Sequence, residues 1–198
     1  TPLEAELRRE QAAVDLAYER LITMRESALD VVRHHRELGE TTTGQARMYV
    51  YCDSTAEVAT ATTALTNAGC AMARVEFLVA TTDSIWMRDY GPRYVYEGDC
   101  RAIVDHVYNR PRPNDDVMPD HFGASKGHRV YGIPLIHGGG NFHLDALGSG
   151  HATQLIVNEN PTLTSQQIRQ HWTAYQNLNT TLQAAFPTSV DSTQHIDM

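Results

Sequence analysis

A histidine and an aspartate lie one residue apart near the end of this 198-residue sequence, in the stretch His195-Ile196-Asp197. Alternate residues of a strand point to the same face, so a short strand here would present both side chains together. An imidazole beside a carboxylate is common acid/base equipment. The pair is a weak signal by itself, because any short strand can contain it.

A second candidate is the stretch WMRDYGP, which contains Trp86, Arg88 and Asp89 before a Gly-Pro turn. A carboxylate accepts paired N–H donors from a guanidinium, and an indole face adds cation–π attraction. Asp89 and Trp86 could therefore hold a flat cation. The alternative is a structural network between Arg88 and Asp89 in a tight turn.

A third candidate is the stretch NRPRPNDD, in which prolines separate Arg110 from Arg112. Proline stiffens the chain, and two arginines held apart on a stiff loop suit a carboxylate or a phosphate. The alternative is solvated surface charge.

The fourth candidate is HGGGNFHLD, where glycines 138–140 would let the backbone approach a ligand closely and Asn141 could point into a site. A tight turn explains three glycines equally well. His137 and His143 could be metal ligands, but no third ligand accompanies them at a suitable spacing. We therefore expect no metal.

The elements that must position these stretches alternate between strands and helices. The patterns predict strands at 46–52, 75–80 and 129–136, a hairpin over 93–108, and helices at 54–69 and 164–179. Residues 109–128 are predicted to be loop, and 137–159 to be loop, strand, turn and strand. Small sheet-plus-helix units of α/β type follow, rather than a doubly wound sheet.

The N-terminal segment and the overall composition bear on the classes of partner and on localisation. Apolar steps over residues 2–38 predict one or two surface helices, with a coiled-coil seam as the alternative. The net charge of −8 argues against nucleic acid, and no apolar run reaches the roughly 18 residues needed to span a membrane. Localisation stays unknown, with secretion slightly favoured over the cytoplasm. A glycosylation sequon at Asn179 would matter only in a secreted protein.

Together, WMRDYGP, YNRPRPNDD, GGGNFHLD and HIDM resemble the Porphyromonas-type peptidylarginine deiminases, in order and in separation. That family also includes agmatine deiminases and belongs to the pentein superfamily of guanidino-group modifying enzymes. The resemblance runs from about Arg47 to Met198. It implies an incomplete catalytic domain at 41–198: the first blades of a five-bladed α/β propeller. The helical segment at 1–40, predicted from its apolar steps, lies outside the resemblance.

The resemblance implies a reaction without a cofactor, in which a cysteine thiolate attacks the guanidinium carbon, ammonia leaves, and water releases a ureido product. Asp89 and Asp197 would hold the guanidinium. His195 would protonate the departing ammonia and then activate water. These roles agree with the chemistry, because two carboxylates orient a guanidinium and offset its charge.

The resemblance also bears on the substrate. The arginines matching Arg110 and Arg112 bind the carboxylate of a C-terminal arginine in the peptidylarginine branch, and Trp86 would pack against the substrate stem. Agmatine lacks that carboxylate, so the loop favours a peptide or protein ending in arginine. The stretch 191–194 departs from the family member best known to us, which has a tyrosine there.

The family's nucleophilic cysteine lies C-terminal of the His-x-Asp pair, whereas Cys52, Cys70 and Cys100 all precede it. We therefore expect this chain to be a fragment, with the C-terminal remainder of the enzyme held as a second chain. The alternatives are an agmatine deiminase and a non-catalytic module that binds arginine-terminated peptides.

Overall fold

The structure is a computed structural model that describes residues 47–145 and 147–197. The chain divides into two compact units, Thr1–Ile85 and Trp86–Met198. The helical segment predicted for residues 1–40, with its coiled-coil alternative, lies outside the described residues. Among the helices that are described, none is long and apolar enough to cross a membrane.

The described part of the first unit is a strand–helix–strand motif: β1 (Met48–Cys52), α1 (Thr55–Asn67) and β2 (Val75–Val79). The two strands pair in parallel. Helix α1 begins at Ser54, whose side-chain oxygen accepts a hydrogen bond from the Glu57 amide at 3.2 Å. Such a cap satisfies an amide that lacks a partner within the helix. The three elements predicted here are confirmed.

The second unit begins with a three-stranded sheet and the helices around it: α2 (Met87–Tyr90), β3 (Arg93–Glu97), β4 (Cys100–Tyr108), α3 (Pro113–Asp116), α4 (Met118–Lys126) and β5 (Arg129–His137). Strands β3 and β4 form an antiparallel hairpin, as predicted. Strand β5 returns parallel to β4 after the two helices.

A second three-stranded sheet repeats this order: β6 (His143–Leu144), β7 (Ser149–Thr153), α5 (Leu155–Glu159), α6 (Ser165–Gln176) and β8 (Asn179–Gln183). Strands β6 and β7 are antiparallel, and β8 returns parallel to β7. The fold is therefore mixed α/β, built from repeated sheet-plus-helix units as the alternation predicted.

One hydrophobic cluster draws side chains from both sheets of the second unit and from α6. Its largest member, Trp172, is fully buried and stacks on Phe142, with ring centroids 4.5 Å apart. Phe142 directly follows the glycine-rich segment that connects β5 to β6. Packing of Phe142 in the core therefore holds one end of that segment in place.

The prediction of loop for residues 109–128 is wrong, because α3 and α4 lie there. Pro113 and Pro119 are in the first turns of these helices, where a missing amide costs nothing. Helix α4 ends at Gly127, whose φ of 67° is the left-handed conformation that favours glycine. Prolines that indicated a loop are helix starts.

The prediction of strand is also wrong at the end of residues 137–159, and the short strand considered for His195 and Asp197 does not form. Residues 155–159 form α5, since a short apolar run does not distinguish a strand from a buried helix. The side chain of Asn160 donates to the carbonyls of Ile156 and Ile136, at 2.8 and 2.7 Å, which joins α5 to β5. The His195–Asp197 pair lies in a turn, and Gln194 before it has a φ of 59°.

Candidate active site

Asp89 is held in place by hydrogen bonds of both its backbone and its carboxylate. Its backbone amide donates to the Trp86 carbonyl at 2.8 Å, within the short helix α2. Its Oδ1 accepts a hydrogen bond from the Gly140 amide at 2.9 Å. Asp89 is therefore joined directly to the glycine-rich segment.

Glycines 138–140 bring the backbone close to the candidate site side chains. A Cβ on Gly140 would lie 2.7 Å from both Asp197 Oδ2 and His195 Nδ1, and 2.8 Å from Asp89 Oδ1. A Cβ on Gly139 would lie 2.3 Å from the Arg88 carbonyl oxygen. Only glycine leaves room for these contacts.

His195 lies between two carboxylates. Its Nδ1 is 3.5 Å from Asp89 Oδ1 and 4.0 Å from Asp197 Oδ1. The His195 side chain is 5 % exposed, whereas those of Asp89 and Asp197 are 18 % and 20 % exposed. A ligand can therefore reach both carboxylates while the imidazole stays largely buried. Three residues predicted to act together are brought together, although their catalytic roles stay predictions.

The turn that carries His195 is fixed by Asp191, a residue the sequence did not single out for this purpose. Asp191 Oδ2 accepts from the His195 amide at 3.1 Å and from the Thr193 hydroxyl at 2.6 Å. Burial raises the pKa of Asp191, but these hydrogen bonds outweigh it and lower the pKa overall. The stretch that departs from the family pattern thus positions the histidine.

Burial raises the pKa of Asp197 above its ordinary value, and the charge of Asp89 adds to this effect. The charges of His195, His143 and Arg88 oppose it. Two carboxylates whose charges repel each other favour a cation placed between them. The arrangement can thus bind a planar cation and move a proton at the imidazole.

Trp86 and Arg88 precede Asp89 by three residues and by one residue, in the same short segment. Trp86 is half-buried at the start of α2, and Arg88 is exposed. The predicted contact between Trp86 and a substrate stem stays a prediction.

The two candidate carboxylate-binding arginines differ in their surroundings. Arg110 is exposed, while Arg112 is half-buried and donates from Nη1 to the Tyr108 hydroxyl at 3.1 Å. Burial raises the pKa of Tyr108, as does the charge of Asp89, and Arg112 opposes the rise. The arginine loop thus lies within electrostatic range of the site.

Asn141 is fully buried, and its Oδ1 accepts from the Thr153 amide at 3.0 Å and lies 2.8 Å from the Thr153 hydroxyl. The oxygen therefore joins the glycine-rich segment to β7. Among the described groups, Asn141 Nδ2 has no partner. The predicted substrate contact of Asn141 is untested, and it would fall to that nitrogen.

Glu159 and Asn109 form a pair that the sequence did not reveal. Asn109 Nδ2 donates to Glu159 Oε1. Burial raises the pKa of Glu159; Asn109 and Arg110 lower it, and Asp89 raises it. Asn109 is the first residue of the NRPRPNDD stretch and could have been noticed, but Glu159 ends an apolar run that carries no such signal.

Within residues 47–145 and 147–197, no three potential ligand side chains come together to hold a metal ion. His137 instead lies against its own chain, with Nδ1 3.0 Å from the Gly138 carbonyl.

Comparison with known proteins places this geometry in a family. The family model described as "Porphyromonas-type peptidyl-arginine deiminase" matches residues 3–198. The chain belongs to this family. The match also takes in the N-terminal residues that the four motifs left outside the resemblance.

Curated relatives carry a different substrate in their names. A protein named "Putative agmatine deiminase" from Photobacterium profundum is 31 % identical over 108 residues, which is 48 % of this chain and 30 % of that protein. A protein of the same name from Shewanella frigidimarina is 30 % identical over 141 residues, covering 63 % of this chain and 38 % of that protein. The chain spans about a third of the length of these relatives.

The fold recurs in a solved structure. A crystal structure described as a putative agmatine deiminase superposes with a TM-score of 0.69 at 20 % identity, over 81 % of this chain and 48 % of that one. At this identity the likeness shows the fold alone. The mixed α/β architecture is therefore shared with that structure.

Proposed function

We propose that this chain supplies the guanidinium-binding and acid/base groups of a deiminase that hydrolyses a guanidino C–N bond. The observation that carries the proposal is His195 held between the carboxylates of Asp89 and Asp197. The carboxylates bind the guanidinium nitrogens. The imidazole gives a proton to the nitrogen that leaves as ammonia, and then takes one from the attacking water.

The nucleophile in this proposal is a cysteine thiolate outside the 198 residues. Within the second unit, Cys100 is exposed at the first residue of β4. It lies six residues, or roughly 20 Å, along the strand from His106, whose ring contacts the Asp89 carbonyl in the site. Burial raises the pKa of the Cys52 thiol, and Glu57 and Asp53 add to this rise, which disfavours a thiolate. The C-terminal remainder of the enzyme, as a second polypeptide, would supply the nucleophile.

The propeller is part of the same proposal. The two sheets of the second unit share one topology, a hairpin followed by a helical return to a parallel strand. We infer that they are two blades of a five-bladed α/β propeller that the remainder completes.

Agmatine is the first candidate substrate, because the curated relatives carry that name. Its far end is an ammonium group. Glu159 supports a site for such a cation: the charge of Asp89 acts on it, and its Oε2 has no hydrogen-bond partner among the described groups.

A C-terminal peptidyl arginine is the second candidate, supported by the family description and by Arg110 and Arg112. Arg112 is already oriented by the Tyr108 hydroxyl, so part of its side-chain entropy is lost before a carboxylate binds.

Paired variants of the complete enzyme separate these substrates. We expect Glu159→Gln to lower kcat/KM for agmatine by about 10- to 100-fold, because a charge-assisted contact is lost, and to spare a peptide ending in arginine. Arg112→Ala should show the reverse preference. Ammonia release from both substrates is the measurement, and equal losses on both would assign these residues to the fold instead.

The function itself is tested by reconstitution. We expect residues 1–198 alone to release no ammonia from either substrate, because a guanidinium needs a thiolate nucleophile that His195 does not replace. Co-expression with the C-terminal remainder, followed by gel filtration, should give a complex that does. Activity from the 198 residues alone would place the nucleophile within this chain. A complex that binds arginine-terminated peptides without turnover would favour a binding module.

A further inference from the structure

Two buried histidines, His106 and His137, and the half-buried Arg93 lie against the backbone of the candidate active site. His106 and His137 stack face to face, with ring centroids 4.0 Å apart and planes 15° apart. Arg93 lies over the Phe142 ring at 4.3 Å. These three side chains are called the supporting layer.

Each side chain of the supporting layer has one nitrogen that meets a backbone carbonyl of the site. His106 Nε2 lies 2.9 Å from the Asp89 carbonyl, and His137 Nδ1 lies 3.0 Å from the Gly138 carbonyl. Arg93 Nη2 donates to the Gly139 carbonyl at 3.4 Å. A carbonyl oxygen can only accept a hydrogen bond, so His106 Nε2 and His137 Nδ1 must each carry a proton.

Both histidines are uncharged. Burial lowers the pKa of His106 to about 3 and that of His137 well below its ordinary value, and the charge of Arg93 contributes to both shifts. A neutral imidazole carries one ring proton, so the carbonyl contact fixes which nitrogen holds it. His106 is the Nε2–H tautomer.

Asp89 is thus held from two directions. Its carbonyl accepts from His106, while its carboxylate accepts from the Gly140 amide. On the Gly139 side there is little free space, since a Cβ there would lie 3.0 Å from the same Asp89 carbonyl. The peptide group of Asp89 therefore has little room to rotate, so the backbone from which the carboxylate extends is fixed as well as the carboxylate oxygen.

We propose that His106 is a positioning residue, which acts through the Asp89 carbonyl to aim the Asp89 carboxylate at the substrate guanidinium. The proposal rests on the proposed function, because it assigns Asp89 to guanidinium binding. It explains why a polar ring occupies the interior of β4, where an apolar side chain would pack without a donor. Loss of that donor leaves a buried carbonyl without a partner and frees the peptide to turn.

Variants of the complete enzyme test the proposal against simple destabilisation. His106→Phe keeps a stacking ring and removes the donor, whereas His106→Gln keeps an N–H. Val104→Ala is the matched control, since Val104 is buried two residues earlier on the same strand and belongs to the hydrophobic core. We expect His106→Phe to lower kcat/KM by about 10- to 100-fold. We expect His106→Gln to recover most of this loss, and Val104→Ala to lower the Tm with little change in kcat/KM.

Two results would overturn the proposal: a loss in His106→Phe no larger than that in Val104→Ala at a similar Tm, or equal losses in His106→Phe and His106→Gln. A wild-type enzyme inactive on agmatine and on a peptide ending in arginine would instead count against the proposed function. Nitrogen-15 NMR of wild-type His106 tests the underlying hydrogen bond to the Asp89 carbonyl without a variant. A protonated Nε2 is the expected result, and a protonated Nδ1 would contradict the contact with Asp89.

Discussion

Asp89→Asn is expected to abolish turnover in the complete enzyme while the fold stays in place. The substitution removes, at nearly constant shape, the charge that lies beside His195 and that we propose binds the guanidinium. The remaining amide oxygen can still accept from the Gly140 amide, which Asp89 Oδ1 contacts at 2.9 Å. Removing one partner of a desolvated charge pair costs about 3–5 kcal/mol, so kcat/KM should fall by roughly 10²- to 10⁴-fold.

The measurement is ammonia release at saturating and limiting substrate, together with the Tm. Asp99→Asn is a suitable control, because it makes the same change of charge at an exposed turn between β3 and β4 of the same unit. The control should retain full activity. If Asp89→Asn keeps most of its activity, Asp89 is structural and the candidate site is misplaced.

Local signals in the sequence were sufficient for several elements. The helix predicted from a Thr/Ser start is α6, with Thr164 and Gln167 in a reciprocal capping box. A capping box involves two residues only three positions apart, so it can be predicted from the local sequence without knowing the fold. The hairpin over 93–108 was predictable for the same reason, since alternation and a Gly-Asp turn are local.

Long-range contacts decided the elements that the sequence misassigned. Residues 155–159 are helical where Asn160 bonds to Ile136, twenty-four residues earlier in the chain. The His195 turn depends on Asp191 and on the Thr153 hydroxyl, which lies 2.9 Å from the Gln194 carbonyl. The periodicity of apolar residues in a short stretch of sequence cannot reveal partners that are distant in the chain.

The residues of the candidate site also fall into two groups, those that sequence motifs predicted and those that only the structure revealed. Asp89, His195 and Asp197 came from motifs, because a resemblance preserves the order of chemical groups along the chain. His106 and Glu159 were missed, because the contacts that single them out are with residues distant in sequence: the Asp89 carbonyl for His106 and the Asn109 amide for Glu159. A single histidine in a strand and a glutamate after an apolar run have no distinctive sequence pattern.

Gly140→Ala is expected to inactivate the enzyme through lack of space alone. The added Cβ would lie 2.7 Å from Asp197 Oδ2, 2.7 Å from His195 Nδ1 and 2.8 Å from Asp89 Oδ1, all below the 3.0 Å that real Cβ contacts respect. At least one of these side chains must move. Displacement of a reacting group by about 1 Å can cost roughly 100-fold, so we expect kcat/KM to fall by about that factor or more.

Two other glycines of the same unit separate this effect from backbone or folding effects. A Cβ on Gly132, which is exposed in β5, would meet no atom within 4 Å, so Gly132→Ala should change neither activity nor Tm. A Cβ on Gly139 would overlap the Arg88 carbonyl oxygen at 2.3 Å, so Gly139→Ala should lower the Tm or the yield of folded protein. Gly140→Ala meets movable side chains instead of backbone, and should therefore lose activity out of proportion to its loss of Tm. Full activity in Gly140→Ala would mean that the three side chains do not form the working site in this arrangement.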